Sequence, residues 1–129
     1  MKVAFTTSTG EIIDQHFGQC HSFHVWEIAP DQAEAVAVVS GITAEGDEED
    51  RISSRAEVIA DCAIVYTMQI GGPAAAKLVA RKIHPMKTNT EVPVAEVVAK
   101  LQEVLRVSPP PWLRKAMQKG SGGSFLDEE

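Results

Sequence analysis

Cysteine is nearly missing from this chain, with only Cys20 and Cys62 among 129 residues. Two cysteines make no disulfide framework and cannot supply a site of four thiolates; they read as free thiols of a reducing compartment. Long apolar runs are absent as well, and none approaches the ~20 residues needed to cross a bilayer. Positive charge is in the minority, 12 Lys and Arg against 18 Asp and Glu, for a formal net charge of −6. Non-specific attachment to nucleic acid is therefore disfavoured. The nucleotide-binding patterns Gly-x-x-x-x-Gly-Lys-Ser/Thr and Gly-x-Gly-x-x-Gly do not occur. Neither a Ser-His-Asp nor a Cys-His arrangement can be assembled, and no carboxylates pair at strand ends as a two-metal nuclease requires. Nor does the chain open with a basic segment, an apolar stretch and a cleavage site, which leaves the cytoplasm as the expected location.

What is present describes one α/β domain. Hydrophobic content of 44% and charged content of 23% are ordinary for a globular protein. Residues 2–7 read as a strand, followed by a turn at Ser8-Thr9-Gly10. Residues 22–29 and 33–40 read as an antiparallel hairpin about the turn Pro30-Asp31-Gln32. An acidic loop leads to Asp50, which can cap a helix running to about Ala60. Residues 62–67 are nearly all apolar, as expected of an interior strand covered on both faces. A helix over roughly 73–82 follows, then a short edge strand over 83–88 that contains Pro85. Val94 to Arg106 carries apolar residues at helical spacing and is stopped by Pro109-Pro110-Pro111. Trp112-Leu113 is expected to dock as a short appendage. The domain is thus placed at residues 1–117, with 118–129 as a flexible, Gly- and Ser-rich tail. Alternating helices and strands after a hairpin predict a layered domain around a mixed sheet of about five strands.

Two segments carry chemistry. The first is Asp14-Gln15-His16-Phe17-Gly18, a loop that presents an imidazole just before a glycine. Neutral imidazole is a good ligand for borderline metals such as iron. Cys20, His21 and His24 follow closely, and a thiolate four residues along the loop could reach the same metal, which makes Cys20 a second candidate ligand. The second segment is the strand-to-helix junction Ile70-Gly71-Gly72-Pro73, whose backbone N–H groups at a positive helix terminus suit an anion. Lys77 and Arg81, four residues apart on one face of that helix, extend it into a basic patch. The plain alternatives are a solvated loop histidine and a tight turn with a solvated helix face.

Five pieces in order resemble the dinitrogenase iron–molybdenum cofactor biosynthesis family: Asp-Gln-His-Phe-Gly at 14–18, Asp-Cys-Ala-Ile-Val-Tyr at 61–66, Ile-Gly-Gly-Pro-Ala-Ala-Ala-Lys at 70–77, Ile-His-Pro-Met-Lys at 83–87 and Pro-Pro-Pro-Trp-Leu-Arg-Lys at 109–115. The resemblance spans residues 2 to 117. It implies a three-layer α/β/α fold of the ribonuclease-H-like type without nuclease activity. It also implies a nitrogen-fixation accessory role. The chain would carry an iron–sulfur precursor of the iron–molybdenum cofactor from the enzyme that makes it to the scaffold that matures it. The family's favoured cluster ligand falls on His16, within His16-Phe17-Gly18. Some relatives place cysteine in the loop before the helix, where this chain has Met68, Gln69 and Ile70.

Residue chemistry agrees with such a role. An anionic cluster precursor must be held firmly enough to protect it and loosely enough to pass on. One imidazole, Gly71 and Gly72 at a helix start, and nearby Lys77 and Arg81 would do this without encasing the cargo in thiolates. Two other readings stay open at this stage. One is a small metal-dependent hydrolase using His16, His21 and His24, although His21 and His24 on one strand would point to opposite faces. The other is an anion- or metabolite-sensing interaction domain that uses the glycine loop alone.

Overall fold

A computed structural model describes residues 1–41 and 47–118. In chain order the elements are β1 (Lys2–Thr6), β2 (Ile12–Ile13), a 3-10 turn at Phe17–Gln19, β3 (Ser22–Ala29), β4 (Gln32–Ser40), α1 (Glu48–Val58), β5 (Ile64–Thr67), α2 (Gly72–Ala80), β6 (His84–Lys87), β7 (Val92–Pro93), α3 (Val94–Val107) and α4 (Pro111–Gln118). The main sheet has five strands in the order β4-β3-β1-β5-β6. β3 pairs antiparallel with both neighbours, whereas β1, β5 and β6 run parallel. The expected hairpin, the interior position of β5 and the edge position of proline-bearing β6 are all present.

Alternation along the strands divides the core in two. Val3, Phe5, Ile28 and Ile64 face α3 and α4, where Val94, Val98, Leu101, Leu105 and Leu113 cover them. Ala4, Phe23, Val25 and Val65 face the other way, under Ala56 and Ile59 of the α1 region and Ala74 and Leu78 of α2. Each face of a pleated sheet must be buried separately, and this sequence supplies an apolar helix stripe for each. The result is the three-layer α/β/α arrangement. Phe5 and Tyr66, on paired positions of β1 and β5, stack with ring centroids 5.6 Å apart.

Several details depart from the expectations. α1 begins at Glu48, because Asp47 rather than Asp50 is the cap, its carboxylate accepting from the Asp50 N–H at 2.8 Å. Trp112 and Leu113 belong to a full helix, α4, which starts on Pro111, a residue whose fixed φ suits a first helical position. α4 also takes in Gln118, one residue past the expected domain limit; the rest of the expected tail, and Ile42 to Gly46 of the acidic loop, lie outside the described residues. The two-residue strands β2 and β7 pair with each other and fold the loop after β1 against the start of α3. In the β3–β4 hairpin Val25 faces Ala37 while Trp26 faces Ala35, so Val36 is an extra residue in β4, a bulge.

α2 ends in a Schellman motif. The Ile83 N–H donates to Leu78 O at 2.9 Å and the Lys82 N–H to Val79 O at 2.9 Å. Lys82 holds the left-handed position of that motif at φ 62°, where glycine is the usual occupant.

Candidate functional site

In a sheet of this topology the chain leaves β1 toward β3 and leaves β5 toward β6. The carboxyl ends of β1 and β5 therefore bound the crevice where ligands bind in open α/β sheets. Both chemistry-bearing segments arrive there, one after each strand.

Buried threonines hold the two together. Thr6 and Thr67 end β1 and β5, and neither is exposed. Their hydroxyls donate to the Gln15 carbonyl oxygen at 2.9 and 3.1 Å, and the Met68 N–H donates to the same oxygen at 3.1 Å. Two residues on, the Phe17 N–H donates to Gln69 O at 2.9 Å. His16 is thus bracketed by backbone bonds to residues 68 and 69 and stands beside the segment that enters α2. The side-chain amide of Gln69 donates to Asn89 at 3.1 Å, which braces that segment from the far side. On the near side the Asp14 carboxylate accepts from the Ser8 N–H at 2.9 Å and from its hydroxyl.

His16 itself is exposed. It occupies the cap position of the 3-10 turn in extended conformation, and its side chain makes no capping bond. Phe17 is its anchor, fully buried and packed on Phe23 with ring centroids 5.7 Å apart. Gly18 is exposed and a side chain there would meet nothing within 4 Å. Gly71 is the cap of α2, Gly72 its first residue and Pro73 the next, with no side chain capping the terminus. Both glycines are exposed, so the positive end of α2 opens to solvent shortly after Gln69, whose carbonyl oxygen accepts from the Phe17 N–H.

The other expected contributors stand elsewhere. Cys20 is fully buried, its thiol donating to Phe17 O at 3.3 Å. Burial pushes that thiol up, away from the thiolate a metal requires. Gly41 packs so closely that an added Cβ would lie 2.7 Å from Cys20 O. Cys20 is therefore a core residue under the loop, its thiol turned to the Phe17 carbonyl. Lys77 and Arg81 do share a face of α2, but it is the face against α1. Lys77 Nζ donates to Ser53 at 3.1 Å and Arg81 Nη1 to Glu57 at 3.0 Å. Arg81 caps the far end of α2, about 13 Å of helix rise from Gly72. The expected basic patch is thus a pair of interhelix ties and does not surround the glycine junction.

His21 is exposed, and its backbone N–H donates to Gln15 Oε1 at 3.2 Å. His24 lies on β3, its ring against Gly10, where an added Cβ would sit 2.9 Å from the imidazole. Gly10 also holds φ +87°, so the residue is required on two counts. Among the described residues no three His, Cys, Asp or Glu side chains converge so as to hold a metal ion. The three-histidine hydrolase site is not formed. Thr6 and Thr67 were missed by sequence reasoning; a threonine closing each of two apolar strands was the available signal.

The model of the dinitrogenase iron-molybdenum cofactor family matches residues 1–104. The chain belongs to that family. It is 43% identical to the protein NifX of Herbaspirillum seropedicae, over 93% of this chain and 84% of that one. It is 40% identical to the protein NifY of Azotobacter vinelandii over 91% of its own length, and there it spans about half of the relative, 48%. The crystal structure of PH0822 superposes with a TM-score of 0.64 over 80% of this chain and 91% of that one, at 19% identity. That likeness extends the family's fold well beyond recognisable sequence. The family match contains both segments of the crevice.

Proposed function

We propose that this family member is a non-catalytic carrier that binds and transfers an iron–sulfur precursor of the nitrogenase iron–molybdenum cofactor. The observation that carries the proposal is the bracketing of His16 between the Met68–Gln15 and Phe17–Gln69 backbone bonds, beside the uncapped start of α2. One imidazole supplies an iron ligand; the helix terminus at Gly71 and Gly72 favours the negative charge of the cargo. Phe17 fixes the loop from below, and Gly18 leaves space above it. A single protein ligand and an open crevice suit a cluster that must be released, whereas four thiolates would retain it.

The cargo passes between the enzyme that synthesises the precursor and the scaffold that matures it, both soluble partners in the cytoplasm. Among the described residues no helix is long and apolar enough to cross a membrane. The helix-terminus contribution is modest and screened by salt, on the order of 0.3–1 kcal/mol, so His16 carries most of the specificity.

Anaerobic titration of the purified chain with the isolated precursor, followed by optical and electron paramagnetic spectra, tests the reading. His16→Ala is expected to weaken binding at least tenfold while the thermal midpoint stays within about 2 °C, since the side chain is exposed. Equal affinity and unaltered spectra in the variant would overturn it. An anion-sensing role would instead show phosphate binding that depends on the Gly71-Gly72 junction and ignores His16.

A further inference from the structure

At the opposite end of β5 and β6 from the crevice lies a cleft of about 600 Å³ between the end of α2, the start of β6 and α4. Its floor is apolar: Val79, Ile83 and Trp112, with Val79 59% and Trp112 37% exposed. The Trp112 ring stacks on His84, centroids 4.2 Å apart, which keeps the indole flat along the wall. Its rim is basic, formed by Arg81, Lys82 and Lys115. This combination of apolar floor and cationic rim suits an occupant that carries both apolar and acidic residues.

The chain itself contains such a segment. Gln118 lines the cleft, and seven residues later come Phe125-Leu126-Asp127-Glu128-Glu129. Seven extended residues span up to about 25 Å, and the Gly-Ser-Gly-Gly-Ser connection at 120–124 can turn in any direction. Tethering at this length gives an effective concentration on the order of millimolar, so a weak intrinsic affinity suffices for occupancy.

We propose that the cleft is the docking site of this chain's own C-terminal segment, with Phe125 and Leu126 against Val79 and Trp112 and Asp127-Glu128-Glu129 toward Lys82 and Lys115. The segment expected to be an idle tail then covers an exposed indole and an exposed valine. This surface is separate from the crevice at His16.

The test uses the full-length protein, reading the indole N–H resonances of Trp112 and Trp26, the latter on β3 and an internal control. In Phe125→Ser/Leu126→Ser the Trp112 resonance is expected to shift and the Trp26 resonance to stay. A synthetic peptide of residues 120–129, added at millimolar concentration, should return Trp112 to its parent position. Lys115→Glu should weaken that peptide's binding about threefold, the size typical of an exposed ion pair. An unmoved Trp112 resonance in the double variant overturns the proposal. So does a Trp112 shift that disappears on dilution of the parent, which would mean a second copy supplies the segment.

Discussion

At the scale of single residues the crevice divides those that touch solvent from those that hold the others in place. Cys20 is the sharpest case. As a ligand its loss would weaken cargo binding; as a buried packing residue its loss would cost stability. With the thiol inside and donating to Phe17 O, Cys20→Ala is expected to lower stability by about 1 kcal/mol and leave precursor affinity unchanged, by denaturant melts and anaerobic titration in parallel. Thr67→Val keeps the shape of the side chain but takes one of three donors from the Gln15 carbonyl. It should cost about 1–2 kcal/mol and, unlike Cys20→Ala, should also weaken cargo binding, because the bracket on His16 loosens. His16 stands out in the sequence as an imidazole on a loop just before a glycine, a pattern that a solvated loop histidine also fits. The supports show there only as a threonine at the end of each of two apolar strands. Nothing in local spacing says that hydroxyls sixty residues apart meet one carbonyl, and nothing in Cys20's neighbours says that Gly41 will seal it in.

Elements give a different lesson: the helix expected over 73–82 is α2, which closes at Ala80 with Lys82 outside it, and its Lys77–Arg81 face turns to α1. Lys77 and Arg81 fall four residues apart, and a helix does put them on one face. Which way that face looks is decided by α1, whose Ser53 and Glu57 meet it. Lys77→Ala and Arg81→Ala should therefore each cost no more than about 1 kcal/mol and leave precursor affinity as it is. The start of α2 responds in the opposite way. Gly71→Asp would provide the capping carboxylate that the helix lacks, raising stability by a few tenths of a kcal/mol. The same carboxylate places negative charge where the proposed anionic cargo would sit, so on that proposal affinity should fall as the melting temperature rises. A variant that is both more stable and as tight in binding would show that the helix terminus takes no part. The long elements were legible because their apolar periodicity spans many residues; β2 and β7, two residues each, exist only through each other.

For the molecule as a whole, stability should follow pH through His84. Burial lowers its pKa below the ordinary 6.5, stacked as it is on Trp112. Above 6.5 the ring is neutral in both folded and unfolded chains and its contribution is constant. As pH falls through 6.5 the unfolded chain takes up the proton first, so stability declines until the folded ring titrates too. Trp112→Ala should return the His84 titration, followed by its ring proton shifts, toward 6.5. One feature of the sheet has a consequence at this scale too. β4 is a nine-residue edge strand without proline, and Val36 and Val38 on it are 47% and 63% exposed. Such an edge is a template for strands from other molecules. The extra residue at Val36 bends and twists it. Deleting Val36 would leave every recorded β3–β4 pair intact and yet straighten the edge. The shortened protein should fold with an unchanged circular dichroism spectrum but sediment as growing oligomers as its concentration rises. The bulge, on that reading, is what keeps copies of the protein from joining sheet to sheet in the crowded cell.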